Sequence, residues 1–373
     1  MSLAAESQNG AAGQQSAGEQ PRLMQAAVLY GQQDVRIEQV PVPEPKAGEL
    51  IVAVKAALTC GTDLKVYRRG YHAKMLIPPA LFGHELAGVV SAVGEGVTSF
   101  SVGDRVVALN SAPCGECFFC QREQPNLCDD ILFNNGAYAQ FLRVPARIVQ
   151  KNTLLVPESM PFEHAALTEP LACVVHGMNE SEAALALRPG DTVAVIGAGP
   201  IGLMYINVAQ IAGYRVIAVV KHAAQVTLAR HFGASEVVLI TENSDAVAEV
   251  RALTPGERGV DLAIEAVAQP VTWEWAVAMV RAGGLVNFYG GPPAGTKVAL
   301  DTNRLHYSDL TLKASFHHTP KAVRQAFALI ADPRFRAADL VTNHAPLADL
   351  NQVFQGFLSR TSTSHAIKTA ILP

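Results

Sequence analysis

The sequence predicts an α/β protein in which a parallel sheet, covered on both faces by helices, is joined to a partly closed β-barrel domain. Three observations predict it. From Asp191 onward apolar strands alternate with helical stretches, the pattern of repeated strand–helix–strand units. From Met24 short apolar runs are punctuated by Gly and Pro, the spacing of a barrel. Four of the six cysteines crowd into residues 114–128, which marks a small lobe built around something other than an apolar core.

The chain has 373 residues, too many for one ordinary core and enough for two domains. Residues 1–20 are mostly Ala, Gly, Gln, Ser and Glu and are expected to be a disordered tail. Barrel strands are expected at Ala26 to Tyr30 and Leu50 to Ala57, separated by the Pro-rich stretch Pro41 to Pro45. The segment Gly88 to Val107 continues them, with Gly94, Gly96 and Gly103-Asp104 at turns. Between Ser159 and Gly177 the pattern is helical: Ser159 is placed to cap, Pro161 suits the first turn and Glu163 faces the positive helix end.

The parallel sheet is expected to use Val193 to Ile196, Val216 to Val220, Val237 to Ile240, Asp261 to Ile264 and Leu285 to Tyr289. Helices are expected from about Ile201 and up to about Phe232-Gly233. The segment Lys321 to Pro373 returns to mixed character and is expected to fold back on the first domain.

A net charge of −4 and a pI near 6.3 give no electrostatic case for nucleic acid or an anionic membrane, so the partner expected is a small molecule. No apolar run approaches the roughly 20 residues of a spanning helix. The N-terminus also lacks a basic segment followed by an apolar one. A cytoplasmic protein is expected.

Cys114-Gly-Glu-Cys117-Phe-Phe-Cys120, followed by Cys128, gives four soft donors in one short loop, the outline of a closed tetrahedral zinc site. A disulfide cluster would need an oxidising compartment that nothing here suggests. A nucleic-acid-binding ribbon would need a basic lobe, whereas Glu116, Glu123, Asp129 and Asp130 accompany a single Arg122.

In the second half, Val193-Ala-Val-Ile196 runs into Gly197-Ala-Gly199-Pro200-Ile201-Gly202 and then into a helical stretch, with the next strand at Val216. Glycine spacing alone is weak; the strand before and helix after make it a dinucleotide site. Gly197 permits a tight turn, Gly199 lets the backbone approach a diphosphate and Gly202 lets helix and strand pack closely. An NAD site usually holds Asp or Glu at the end of the second strand. Here Val220 is followed by Lys221 and His222, so NADP is favoured, with NAD possible and Lys221 as the cation beside a 2′-phosphate.

A second donor set is dispersed: Cys60-Gly-Thr62-Asp63, Gly83-His84-Glu85 and Glu169-Pro170. One thiolate, one imidazole and one or two carboxylates suit zinc with a position left open for water or substrate. Cys173 reads as a core thiol. His176, His317 and His318 are further residues that could face a cleft, against ordinary packing or surface roles.

Taken in order, Cys60-Gly-Thr-Asp, Gly83-His-Glu, the cysteine quartet, Glu169-Pro-Leu-Ala and Gly197-x-Gly-x-x-Gly202 resemble the zinc-dependent medium-chain alcohol dehydrogenases, nearest to the sorbitol and threonine dehydrogenase branch. The resemblance runs from about Met24 to the C-terminus. It implies a GroES-like barrel catalytic domain (21–175 and 320–373, with the zinc lobe at 110–130) and a Rossmann coenzyme domain (176–319). It implies a catalytic zinc held by Cys60, His84 and either Glu85 or Glu169, and a structural zinc held by Cys114, Cys117, Cys120 and Cys128. It also implies a homodimer or homotetramer.

Glutamate at 169, where ethanol-type members carry cysteine, implies a polyol, sugar or amino alcohol substrate, or the matching ketone. Thr62 would take the hydroxyl proton first. Two departures stand out. Lys65 replaces the histidine that many relatives use to pass that proton to solvent, and His317-His318 follow Phe316 where the sorbitol branch carries Arg and Tyr. Two competing readings are a non-catalytic sensor or scaffold that binds cofactor and zinc, and a zinc-free quinone-reductase-like enzyme. The latter is disfavoured by Cys60, His84 and the cysteine quartet.

Overall fold

The computed structural model describes residues 21–72, 75–359 and 366–373; the expected tail, 1–20, lies outside them. The described residues form four sheets.

The largest all-parallel sheet runs in the order Glu236–Leu239, Arg215–Val220, Thr192–Ile196, Val260–Glu265, Val280–Phe288, Thr311–Ala314. Its central strand Thr192–Ile196 is buried at every residue, as a strand must be when helices cover both faces. Chain order reverses between Thr192–Ile196 and Val260–Glu265, and ligands bind outside the carboxyl ends of strands at such a point. Gly197 follows one of these strands and Ala266 the other. This is the Rossmann domain.

The GroES-like domain is built on Leu50–Leu58, which pairs antiparallel with Glu85–Val93, Phe141–Val144 and the C-terminal strand Lys368–Leu372. Arg105–Ala108 and Thr153–Leu155 extend one side of this sheet and Val341–Pro346 the other. The last two strands thus return from the far end of the chain to join a sheet begun at Leu50. A smaller sheet of Asp34–Pro41, Leu23–Gly31 and Ala80–Leu81 covers the barrel, its core including Tyr67, Phe82 and Phe354.

Local sequence explains most element ends, with one correction. Ser159 does not cap a helix: it lies in a turn, and helix Phe162–Ala166 starts after Pro161, which carries no capping side chain. Helix Thr168–Leu185 follows directly and is buried from Thr168 to Met178, so it serves as the post between the two domains. Among the described residues, no helix is long and apolar enough to cross a membrane.

Candidate active site and metal centres

Leu58 pairs with Glu85 in the antiparallel ladder, so the end of one strand lies beside the start of the next. Cys60, two residues past Leu58, therefore meets His84 and Glu85. One ligand atom from each lies within 4.8 Å of the others. Cys60 is the N-cap of helix Gly61–Arg69, and its Sγ accepts from the Thr62 amide at 3.4 Å.

The histidine is oriented from behind. His84 Nδ1 lies 2.8 Å from Asp63 Oδ1, and Asp63 Oδ2 accepts from the Tyr138 hydroxyl at 2.7 Å. With its proton on Nδ1, His84 leaves Nε2 bare as a ligand, the usual carboxylate–histidine arrangement behind a metal. Burial opposes charge on His84, but Asp63 and Cys60 outweigh it and raise its pKa well above the ordinary value. Gly83 is required here: at φ +91°, a Cβ would sit 2.5 Å from the Tyr138 ring.

Glu85 is fully buried, and both of its oxygens accept from Lys368 Nζ, at 2.9 and 2.6 Å. Lys368 also donates to the Thr59 carbonyl at 2.8 Å. Burial works against its charge, but Glu85 prevails and holds the lysine pKa above its usual value. Thr62 borders a cavity of about 10 Å³ shared with His72 and His84, room for about one water. Sequence reading missed His72; Lys65 is exposed on the same helix.

Glu169 lies in a different group. Its carboxylate and one nitrogen from each of His317 and His318 lie within 4.8 Å of one another. Burial pushes the Glu169 pKa up to about 7, opposed by His84. The two imidazoles stack with centroids 4.1 Å apart. His317 Nε2 is 2.6 Å from Ser111 Oγ, and His318 Nε2 is 3.1 Å from Asn110 Oδ1. Burial pulls the His317 pKa down to about 4 and lowers His318 further below its usual range.

His176 is buried and its proton affinity lowered by that burial; His176 and His84 both repel charge on His317. Cys173 is a buried thiol outside the metal-ligand groups, its pKa raised by burial and then by Glu169.

The cysteine quartet closes on itself. Sγ separations are 3.5 Å for Cys114–Cys128, 3.8 Å for Cys117–Cys128 and 3.9 Å for Cys114–Cys120. A zinc–sulfur bond of about 2.3 Å implies a tetrahedral edge of about 3.8 Å, so the four sulfurs fit one zinc ion. Backbone amides of Cys114, Gly115, Glu116 and Cys117 donate to the sulfurs. Amides of Cys120 and Asp129 draw the Cys117 pKa down to about 6. Asn126 of this lobe donates to the Phe316 carbonyl, tying the lobe to the His317 turn.

At the sheet's reversal point, Gly197 has φ +100° and Gly199 precedes helix Pro200–Ile211. A Cβ on Gly202 would fall 1.9 Å from the Gly197 carbonyl oxygen, whereas one on Gly199 would meet nothing within 4 Å. Open space over Gly199 at a helix start fits a diphosphate. Val220 ends the second strand, Lys221 is exposed just beyond it, and Gln225 Nε2 reaches the Ala198 carbonyl at 3.4 Å. Glu265, at the end of its strand, accepts from the Val267 and Ala268 amides and braces the loop facing Gly197.

Residues 46–157 match the alcohol dehydrogenase GroES-like domain and residues 200–332 the zinc-binding dehydrogenase domain. The sorbitol dehydrogenase of Bacillus subtilis is 32% identical over 86% of this chain and 90% of its own length. The L-threonine 3-dehydrogenase of the same organism is 35% identical over 86% and 90%. A zinc-binding dehydrogenase from Sinorhizobium meliloti, solved with NADP, superposes with a TM-score of 0.85 at 28% identity, covering 94% of this chain and all of that one. The (2R,3R)-butanediol dehydrogenase of Bacillus subtilis superposes with a TM-score of 0.82 at 27% identity over 94% and 99%. Both domains and the full-length relatives place this chain in the zinc-dependent medium-chain dehydrogenase family, in its sorbitol and threonine dehydrogenase branch, as a zinc-dependent alcohol oxidoreductase.

Proposed function

We propose that the enzyme moves a hydride between the carbinol carbon of a secondary alcohol (a polyol, sugar or amino alcohol) and NADP in preference to NAD. The observation that carries this reading is the convergence of Cys60, His84 and Glu85 on one point, with Asp63 orienting the histidine from behind. Relatives that act on sorbitol, threonine and butanediol support the substrate class. The absence of a carboxylate at Val220 and the cation at Lys221 support NADP, as does the NADP-bound relative.

In this reading Cys60, His84 and Glu85 hold a catalytic zinc, with Glu169 on the substrate side, and the cysteine quartet holds a structural one. When bound, the catalytic ion supplies Lewis acidity toward the substrate oxygen, and the nicotinamide accepts the hydride. Thr62 Oγ1 would accept the hydroxyl proton as its own O–H proton passes to a water held in the cavity of about 10 Å³ beside His72. Gly197, Gly199, Pro200, Ile201 and Gly202 cradle the diphosphate, and Lys221 meets the 2′-phosphate.

Residues 21–175 and 320–373 are assigned to the catalytic domain, 110–130 to its zinc lobe and 176–319 to the coenzyme domain, in line with the strands' sheet membership. Six free thiols suit the reducing cytoplasm. A homodimer or homotetramer is supported by the family and by the outer edge of Thr311–Ala314, to which no described strand pairs, beside Tyr307 at 78% exposure.

A panel of secondary alcohols, polyols, threonine and the matching ketones, run with both cofactors alongside a zinc count, tests the reading. Two zincs per chain and turnover of a polyol, sugar or amino alcohol with a several-fold preference for NADP are expected. Equal specificity constants for NAD and NADP would overturn the cofactor assignment, and a single zinc the metal assignment.

A further inference from the structure

We propose that Glu265 is a positioning residue for the dinucleotide: its carboxylate clamps the strained turn 266–269 so that Val267 stands as an apolar wall beside the Gly197 loop. The clamp rests on the dinucleotide reading above and is independent of which alcohol is turned over.

Glu265 ends the strand Val260–Glu265, on the other side of Thr192–Ile196 from Val220 and Lys221. With the adenosine half over Val220, the nicotinamide half of a dinucleotide runs over this side of the sheet. The turn that follows is strained, because Ala268 adopts φ +70°, a backbone conformation that residues with a Cβ rarely hold. Hydrogen bonds from outside the turn have to maintain it. Glu265 Oε1 accepts from the Val267 amide at 2.8 Å, the Ala268 amide at 2.8 Å and the Thr272 hydroxyl at 2.7 Å. All three donors fall on one oxygen.

The other oxygen, Oε2, is buried without a partner, and the residue has no exposed surface. A half-satisfied buried carboxylate is costly, so stability of the fold alone does not account for a glutamate here. The same residue ties down the neighbouring loop. Its carbonyl accepts from the Tyr289 and Gly290 amides at 3.1 and 2.8 Å, and Trp273 Nε1 donates to the Gly290 carbonyl at 3.1 Å. A Cβ on Gly290 would collide with Glu265 Oε2 and the Ala268 amide, so the two loops pack as one piece. What the clamp positions is Val267. Its Cγ2 lies 2.7 Å from where a Cβ on Gly197 would sit, yet the residue is 41% exposed: an apolar group pressed on the dinucleotide loop and open above it.

The test is fluorescence titration with NADPH and with NADH, alongside the KM for the nucleotide. Glu265→Ala is expected to weaken nucleotide binding about tenfold or more, as loss of hydrogen bonds to a charged group implies, and to raise the nucleotide KM far more than it lowers kcat. Glu265→Gln, which keeps an acceptor at Oε1, should bind close to the native level. Ala268→Gly added to Glu265→Ala should recover much of the lost affinity, since glycine holds a positive φ unaided. Val267→Ala should weaken binding while the melting temperature stays near native.

Native affinity in Glu265→Ala overturns the proposal, and so does a loss that neither Glu265→Gln nor Ala268→Gly recovers. Native affinity in Val267→Ala overturns the wall. If Glu265→Ala does not fold, Thr272→Val, which removes one donor from the clamp and keeps its shape, decides, and an unchanged nucleotide affinity overturns the clamp. The expected losses in a chain that turns over no alcohol would instead count against the dehydrogenase reading alone, and a native chain that binds neither nucleotide would overturn both.

Discussion

Lys368 Nζ lies 2.6 Å from one oxygen of Glu85 and 2.9 Å from the other, although 283 residues separate the two in the chain. Lys368 is 2% exposed and Glu85 not at all. The pair joins the C-terminal strand to the strand that starts at Glu85, so it couples closure of the barrel to the Cys60–His84–Glu85 cluster proposed to hold the catalytic metal. Removing one partner leaves a buried charge uncompensated, a loss of about 3–5 kcal/mol. Lys368→Met is therefore expected to lower the denaturation midpoint sharply, and Lys368→Arg to recover most of it. Equal midpoints for native chain and Lys368→Met in urea would show that the pair contributes nothing.

Much of this arrangement is legible in the sequence, and the rest is hidden for a physical reason. Motifs whose members lie close in the chain are readable, because turn and ligand geometry fix short spacings: the quartet, the Gly197 loop and the Cys60 turn all qualify. Groups assembled by strand pairing are not. Asp63 and Tyr138 behind His84 are joined only through the fold, as is Lys368 behind Glu85. Asn110 and Ser111 reach His317 and His318 across more than two hundred residues. Ser159 misled because a good capping residue two positions before a proline loses to the proline's fixed backbone.

In the proposed metal centre, the Asp63 carboxylate behind His84 sets both the tautomer and the basicity of the ligand nitrogen. Asp63→Asn keeps the shape and removes the charge. It is expected to weaken binding of the catalytic ion roughly 10- to 100-fold, read by competition with a chromophoric chelator. The quartet's ion should be retained under the same chelator. Unchanged release of the catalytic ion would remove Asp63 from its positioning role.

Two cysteines separate chemistry from folding. Cys60→Ala is expected to abolish turnover while circular dichroism and cofactor binding stay nearly native, since the Rossmann sheet is built without it. Cys117→Ser breaks the proposed structural zinc site, whose binding energy would be folding energy. It should lose one zinc per chain and unfold at lower temperature. Full activity in Cys60→Ala would contradict the assignment of the catalytic centre.

At the proposed adenosine end, Lys221 is exposed beside the end of the second strand and no carboxylate stands at Val220 to repel a 2′-phosphate. Lys221→Asp introduces that repulsion and removes the cation. The ratio of specificity constants for NADP over NAD is expected to fall about tenfold or more, about 1.4 kcal/mol. Because the exposed side chain supports no packing, kcat with NAD should be held. An unchanged ratio would show that the phosphate is recognised elsewhere.

The histidine pair gives the fold a definite pH dependence. Burial lowers the His317 pKa from 6.5 to about 4, with His84 and His176 adding repulsion. On unfolding, the ring regains its ordinary affinity, so between pH 6.5 and 4 the unfolded chain binds the extra proton and the native chain does not. Stability from this group is therefore complete above about pH 6.5, declines as pH falls toward 4, and changes no further below that. His318 acts in the same direction. Protonation of the metal ligands also weakens the fold in acid, so the comparison has to be with a variant that keeps them. His317→Asn retains a polar side chain that does not titrate. The drop in melting temperature from pH 7.5 to 5.0 should be smaller in His317→Asn than in the native chain, and equal drops would mean that the ring is free to protonate in the folded state.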